Sequence, residues 1–287
     1  MRREVAVQDQ RNYGDKGLSR RNFDQLARYI YDYSGIKMPP GKLTMLEGRL
    51  RRRLRATGIG DLDEYCDYLF KRGGIDREAI HLIDAVTTNK TDFFREPKHF
   101  EHLENAALPE LLAAGHSRLR IWSAACSIGA EPYTIAMVME DYREARGAPE
   151  YSILATDLST DVLKAARRGV YPATMIDPVD RQRRLRYVME ARDPERGEVR
   201  IHPRLRSRIG FGRLNLMDRA YEIGDKVHIV FCRNVLIYFD KPTQEKVLSR
   251  LCEKLVPGGF LYVGHSETIS GLNLPVKQVA NTVFRKV

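Results

Sequence analysis

The chain has 287 residues, 43% of them hydrophobic and 30% charged, enough for one large or two modest domains with cores of their own. No apolar run approaches the roughly 20 residues of a membrane helix, and the basic start MRREVAVQDQRNYGDKG lacks the apolar stretch of a signal peptide, so a cytoplasmic protein without membrane insertion is expected. The net charge of +10 favours an anionic partner, nucleic acid or an acidic protein surface, and does not choose between them.

Residues 18–84 read as helices. LSRRNFDQLARYIYDYSG opens on a candidate cap, Ser19, and closes on Gly35. GKLTMLEGRLRRRLRATG sets Leu43, Leu46, Leu50 and Leu54 on one stripe. DLDEYCDYLFKRGG and REAIHLIDAVTTN complete a small all-α domain, placed at 1–84, with 85–100 as a linker to the rest. From Ile121 the pattern changes. LRIWSAAC, YSILATDL, KVHIVFCRNVLIYF and GGFLYVGHSE are short apolar runs, separated by the helices PYTIAMVMEDYREAR, STDVLKAARRG and KPTQEKVLSRLCEKLV. Strand–helix alternation predicts a doubly wound α/β sheet over 101–287, mostly parallel. PVKQVANTVFRKV can add a terminal antiparallel strand. In EVRIHPRLRSRIGF, Val199, Ile201, Leu205, Ile209 and Phe211 alternate with basic residues. That period of two predicts an inserted antiparallel β-subdomain at about 187–213. The four cysteines, Cys66, Cys126, Cys232 and Cys252, form no C-x-x-C pair and lie at no zinc spacing to a histidine. They are expected as buried thiols, with no disulfide and no metal.

The loop after the first strand, IWSAACSIGAEPYT, stands where nucleotide-binding sheets hold their ligand, yet it contains a single glycine, Gly129. A dinucleotide loop uses three glycines to let backbone approach a pyrophosphate. Small residues here allow a tight turn but make a poor phosphate cradle. Asp157, at the end of the second strand, can accept hydrogen bonds from a ribose diol, or can simply end the strand or cap a helix. The combination predicts an adenosine held without phosphates, which S-adenosyl-L-methionine (SAM) fits. Glu131 could meet its cationic methionine end.

Four separated stretches, TTNKTDFFRE, WSAACSIGAEPY, FGRLNLMD and VFCRNVLIYFD, occur in the order seen in the chemotaxis receptor glutamate methyltransferases, the CheR family, and the chain resembles that family from about residue 18 to its end. The resemblance implies a Rossmann-like SAM-dependent methyltransferase fold, with a small all-α N-terminal domain and a three-stranded β-subdomain. It implies methyl transfer from SAM to glutamate carboxylates of methyl-accepting receptors, with S-adenosyl-L-homocysteine as product. By the same resemblance the cofactor meets Asn89, Thr91, Arg95, Glu131 and Asp157, with Asn215 and Leu216 near the adenine and Asn234 and Val235 on the floor of the site. Arg95 and Tyr238 become the catalytic candidates, while Phe93 and Phe94 read as packing residues. Ala130 and Ala125 depart from the family pattern, which often has glutamate and glycine there. Ala125 costs little if its φ is negative and more if it is left-handed.

On the second helix Arg49, Arg51, Arg52, Arg53 and Arg55 oppose the leucine stripe. Arg49, Arg52 and Arg53 are thus candidates for docking acidic receptor helices, against the plainer reading of a solvated face. The β-subdomain is the family's place for a receptor C-terminal pentapeptide, bound by strand addition. Two rivals stay open. A nucleic-acid methyltransferase suits the charge, but CRNVLIYF has no proline run for a flipped base. A non-catalytic CheR-like sensor or receptor-binding protein rests on the two alanines.

Overall fold

In the computed structural model, which describes residues 17–287, the chain divides after Thr87 into two compact units. The first is helical: α1 (Arg20–Ser34), α2 (Leu43–Thr57), α3 (Leu62–Lys71) and α4 (Ile75–Val86). Ser19 caps α1 by accepting from the Asn22 amide, and Gly35 closes it at a φ of 72°, where a side chain would be strained. Phe23, Leu26, Ile30, Leu46, Leu50, Leu54, Tyr65 and Leu82 fill the core. Two of the arginines expected to face outward are engaged within this unit. Arg53 grips Glu78 with two hydrogen bonds, 2.8 and 3.0 Å, in a buried cluster completed by the Tyr65 hydroxyl at 2.9 Å. Arg49 donates to the carbonyls of Val86 and Thr87 at the end of α4. A buried carboxylate and a helix C-terminus both attract a cation, and they outcompete solvent for these two side chains. Arg51, Arg52 and Arg55 are exposed.

The second unit opens with α5 (Lys98–His102) and α6 (Leu108–Ala113), joined through a π-helical turn. Then follow β1 (Arg118–Ala124), α7 (Ala130–Arg146), β2 (Glu150–Asp157), α8 (Thr160–Arg168), β3 (Val170–Pro172), α9 (Arg181–Tyr187), β4 (Val188–Glu190), β5 (Glu198–Ile201), α10 (Pro203–Arg206), β6 (Ile209–Arg213), β7 (Val227–Cys232), α11 (Lys241–Lys254), β8 (Leu255–Val263), β9 (Val276–Ala280) and β10 (Val283–Lys286). The main sheet has seven strands in the order β6-β2-β1-β7-β8-β10-β9. Its first five are parallel, while β10 and β9 are antiparallel. Parallel strands are covered on both faces, so they read as unbroken apolar runs. Trp122, Phe231, Phe260 and Tyr262 are fully buried, and Phe231 stacks on its cross-strand neighbour Tyr262 at 4.3 Å.

The chain winds one way from β1 to β2 and the other way through β7 and β8, so the order reverses at β1. Register then sets the rim. Ala124 lies beside both Thr156 and Cys232, and Cys232 beside Val263. The next residues out, Ala125, Asp157, Arg233 and Gly264, therefore share the edge where open α/β sheets bind ligands.

The inserted subdomain differs from the expected 187–213. Its three antiparallel strands are ordered β3-β5-β4, so it begins at Val170, and β6 pairs in parallel with β2 as part of the main sheet. The alternation over 199–211 is not one strand pattern. Val199 and Ile201 are strand positions, Leu205 is on the short helix α10 begun by Pro203, and Ile209 is in β6. Spacing of four across that turn mimics spacing of two. The missed strand, VYP, is too short to show a period.

Glu140 on α7 anchors this subdomain. It is wholly buried and pairs with Arg204 at 2.6 Å, Arg143 at 3.0 Å and Arg208 at 3.5 Å, and it accepts from the Tyr151 hydroxyl at 3.0 Å. Burial alone would raise its pKa. The hydrogen bonds from Arg143 and Tyr151, with the charges around it, outweigh burial and hold the carboxyl below its usual range. A depressed acid stabilises the fold above its unfolded pKa, near 4.3, and loses that contribution as pH falls through the folded value. Glu140→Gln is expected to cost about 2–3 kcal/mol near neutral pH. It should also flatten the loss of stability between about pH 5 and pH 3. Urea unfolding at several pH values checks both; equal pH slopes in the two proteins would contradict this role.

Candidate active site

The loop between β1 and α7 achieves its turn through left-handed residues other than glycine. Ala125 has a φ of 63° and Ser127 of 51°, and only Gly129, at 95°, is a glycine. Ala125 is therefore the costly case, on the order of 1 kcal/mol against glycine. Gly129 could not be replaced as cheaply, because an added Cβ would lie 2.9 Å from the Cβ of Ala166 and 3.0 Å from the Tyr171 hydroxyl. Three of the loop's amides are used within the protein. Ser127 N–H donates to Asp157 Oδ2 at 2.8 Å, Cys126 N–H to the Thr156 carbonyl, and Gly129 N–H to the Cys126 carbonyl. Asp157 also accepts from Ser159 N–H at 2.9 Å, while Ser159 itself caps α8. Asp157 is thus an anion fixed by two amides at the strand tip, and the helix cap falls to another residue.

Across β1 stands a buried cation absent from the expected set. Arg233, 6% exposed, donates to Glu131 Oε2 at 3.1 Å, to Glu96 Oε2 at 3.0 Å and to the carbonyl of Arg95. Glu131 also accepts from Ser123 Oγ at 2.6 Å. Glu96 accepts in addition from Asn234 Nδ2 at 3.0 Å and His265 N–H at 3.2 Å. The two carboxylates respond differently. Burial raises the Glu131 pKa despite Arg233 and Ser123. For Glu96 burial also acts upward, but the Asn234 hydrogen bond and the Arg233 charge overcome it and hold the carboxyl down at about 2. Glu131 is the carboxylate whose burial its partners do not offset. Glu267, 5% exposed, completes the floor. It accepts from the amides of Gly264, Asn234 and Leu236 at 2.6, 2.9 and 2.7 Å. It thereby clamps the turn after β7, where Asn234 has a φ of 59°.

The segment before α5 is tied to this rim. Ser127 Oγ donates to the Asn89 carbonyl at 2.9 Å, Phe94 N–H to Thr134 Oγ1 at 3.2 Å, and Arg233 to the Arg95 carbonyl. The structure therefore brings Asn89, Arg95, Glu131, Asp157 and Asn234 to one edge, with Thr91 on the same tied segment and Val235 in the turn after Asn234. Arg95 is partly exposed, its Nη1 on the Lys90 carbonyl at 3.1 Å. Tyr238 ends the short helical turn Leu236–Tyr238 and is also partly exposed. Asn215 and Leu216 follow β6, whose exit is pinned by Leu214 N–H on the Asp157 carbonyl at 3.1 Å. Leu216 is buried, and its carbonyl accepts from the Tyr221 hydroxyl at 2.7 Å. Phe93 and Phe94 pack as expected, Phe93 edge-on to Tyr171 and Phe94 edge-on to Phe100. Arg49, Arg52 and Arg53 belong to the helical unit.

Arg233, Glu96 and Glu267 escaped the sequence reading. The first two stand inside quoted stretches, CRNV and FFRE, and a charged residue closing an apolar strand was the available signal. Glu267 had a similar one, a lone acid after FLYVGHS.

The residues present suit SAM. A fixed carboxylate at the strand tip matches a ribose diol, the Ser127 amide in the loop is taken by Asp157 rather than left for a phosphate, and the buried Glu131 can face a cation. Comparison with known proteins agrees. The family described as CheR methyltransferase, SAM binding domain, matches residues 89–285, and the CheR methyltransferase all-alpha domain matches residues 21–87. The chain is 36% identical over 274 residues to the chemotaxis protein methyltransferase of Borreliella burgdorferi, covering 94% of this chain and 95% of that one. It is 37% identical to chemotaxis protein methyltransferase 2 of Pseudomonas aeruginosa, over 93% of each, and 39% identical to the Salmonella typhimurium protein, over 93% and 90%.

Removing Arg233 would strand two buried carboxylates. Arg233→Met is expected to cost about 3–5 kcal/mol in chemical denaturation, with part of the loss recovered by adding Glu131→Gln. A loss under about 1 kcal/mol would show that the pair is solvated and structurally idle. Together the rim, the family match and the relatives establish that the chain belongs to the CheR methyltransferase family, with SAM as its cofactor.

Proposed function

We propose that this protein methylates glutamate side-chain carboxylates of methyl-accepting chemotaxis receptors, forming glutamyl methyl esters. The observation that carries the reading is the tying of the segment Asn89–Arg95 to the same rim as Asp157 and Glu131, Asn89 through Ser127 and the Arg95 backbone through Arg233. Asp157 would hold the ribose, Glu131 and Asn89 the methionine end, Asn215 and Leu216 the adenine, and Asn234, Val235 and Thr91 the remaining walls. When bound, SAM supplies an electrophilic methyl group on a sulfonium.

The chain's own residues do the rest by placement. An acceptor carboxylate, with a pKa near 4.3, is ionised at neutral pH and needs no base. Its oxygen must be aligned and stripped of water. Arg95, always charged and able to grip a carboxylate with two hydrogen bonds, orients it. Tyr238 steadies the same group. Arg95 must not bind so firmly that ground state and transition state gain equally. Its own anchor is a backbone carbonyl rather than an acid, which leaves the guanidinium charge uncompensated there.

The receptors' acidic methylation helices suit the exposed Arg51, Arg52 and Arg55 of α2 better than Arg49 and Arg53, which are held by Thr87, Val86 and Glu78. A pentapeptide could add to an edge of the β-subdomain. We infer a cytoplasmic location, where such receptor segments are reached; among the described residues no helix is long and apolar enough to cross a membrane.

Incubation of receptor-containing membranes with methyl-labelled SAM should yield base-labile methyl esters, mapped to glutamates by mass spectrometry. Arg95→Ala should lower turnover at saturation by about 10²-fold or more. Label in nucleic acid instead, or unchanged turnover in the variant, would overturn the substrate or the role of Arg95.

A further inference from the structure

Next to the rim, His99, Glu96 and His265 gather ligand atoms within 4.8 Å of one another. His99 on α5 is 1% exposed, and its ring meets that of His265 edge-on at 4.8 Å. Both of its ring nitrogens face oxygen atoms, and the Thr282 contacts are satisfied by the tautomer with its proton on Nε2. The Thr282 hydroxyl donates to the Asn281 carbonyl at 2.8 Å, so its oxygen is left to accept from His99 Nε2–H, also at 2.8 Å. Nδ1 then carries a lone pair, and it is a buried atom with no hydrogen-bond partner. It faces Glu96 Oε2 at 3.5 Å, another acceptor. In that tautomer two lone pairs face each other, an arrangement that a cation between them relieves.

Tetrahedral zinc, with bonds of about 2.0–2.1 Å, sets its ligand atoms roughly 3.3 Å apart. The His99–Glu96 separation is already close to that. Three hydrogen bonds, from Asn234, Arg233 and His265 N–H, use three of the four acceptor positions of the Glu96 carboxylate. The His265 backbone is itself bonded to Glu96, while its exposed ring is free to turn the remaining distance. We propose that His99 Nδ1, Glu96 Oε2 and a ring nitrogen of His265 form a site for a divalent transition-metal ion of the zinc class, with its fourth position open to solvent. Thr282 orients His99 from behind, as the outer partners of metal-bound histidines do. Two imidazoles and one carboxylate favour zinc, nickel or copper over magnesium or calcium. The ion would share Glu96 with Arg233, which weakens the site and opposes the contact holding the Arg95 segment. Inhibition of methyl transfer by zinc follows, a consequence that rests on the methyltransferase reading, whereas metal binding does not.

The test measures binding directly. Full-length protein is titrated with zinc against a chromophoric chelator, and with cobalt by visible absorption. The wild type should bind one ion with the intense bands of a four-coordinate site. His265→Ala, at an exposed position, should weaken binding at least about 10-fold with an unchanged circular dichroism spectrum. His116→Ala, which alters the separate His116–His228 ring pair, should leave it unchanged. No binding by the wild type, wild-type affinity in His265→Ala, or an equal loss in His116→Ala would overturn the site.

Discussion

A guanidinium buried between two carboxylates holds the ligand rim together. Arg233 leaves β7 into a region almost free of water, where an unpaired cation would cost several kcal/mol. It is stable there only because Glu131 arrives from the first turn of α7 and Glu96 from the segment before α5. The requirement runs both ways, since each carboxylate also takes its cationic partner from Arg233. Three distant parts of the sequence are thus forced to one point, and the backbone of Arg95 is carried to the rim as a by-product.

The rim also stores strain. Among the described residues, six other than glycine have positive φ, and five of them, Phe94, Glu96, Ala125, Ser127 and Asn234, lie at this edge. Each costs on the order of 1 kcal/mol, and polar partners hold three of them. Asp157 fixes Ser127, Glu267 fixes Asn234, and Arg233 with Asn234 fixes Glu96. The loop after β1 has the curvature of a phosphate loop, yet its Ser127 amide is filled by the protein's own anion, Asp157. With that amide taken, the loop suits a neutral nucleoside better than a phosphate, and the buried Glu131 beside it can face a cation.

Much of this was legible before the fold was known. Continuous apolar runs gave the parallel strands, Ser19 and Gly35 bounded α1, and Asp157 and Glu131, singled out from the sequence, lie on one edge of the sheet. Local pattern failed where a property belonged to three dimensions. The alternation across Pro203 merged a strand, a helical turn and a strand of another sheet into one apparent ribbon. Arg53 and Arg49 lie on the outward side of a helical wheel, but a buried Glu78 and the open carbonyls of α4 claim them. Arg233 and Glu267 could be noticed as lone charges after apolar strands, but the partners of Arg233 lie more than a hundred residues away and those of Glu267 are backbone amides, so spacing could not name them.

The central claim, that this rim holds SAM by Asp157 and Glu131 with Arg95 facing the transferable methyl group, is tested most directly by a crystal structure with S-adenosyl-L-homocysteine. The account predicts the ribose hydroxyls on Asp157, the amino-acid end beside Glu131, and the sulfur turned toward Arg95. Ligand density elsewhere on the chain, or a rim closed by Arg233 and Glu131 with no room for the nucleoside, would contradict it.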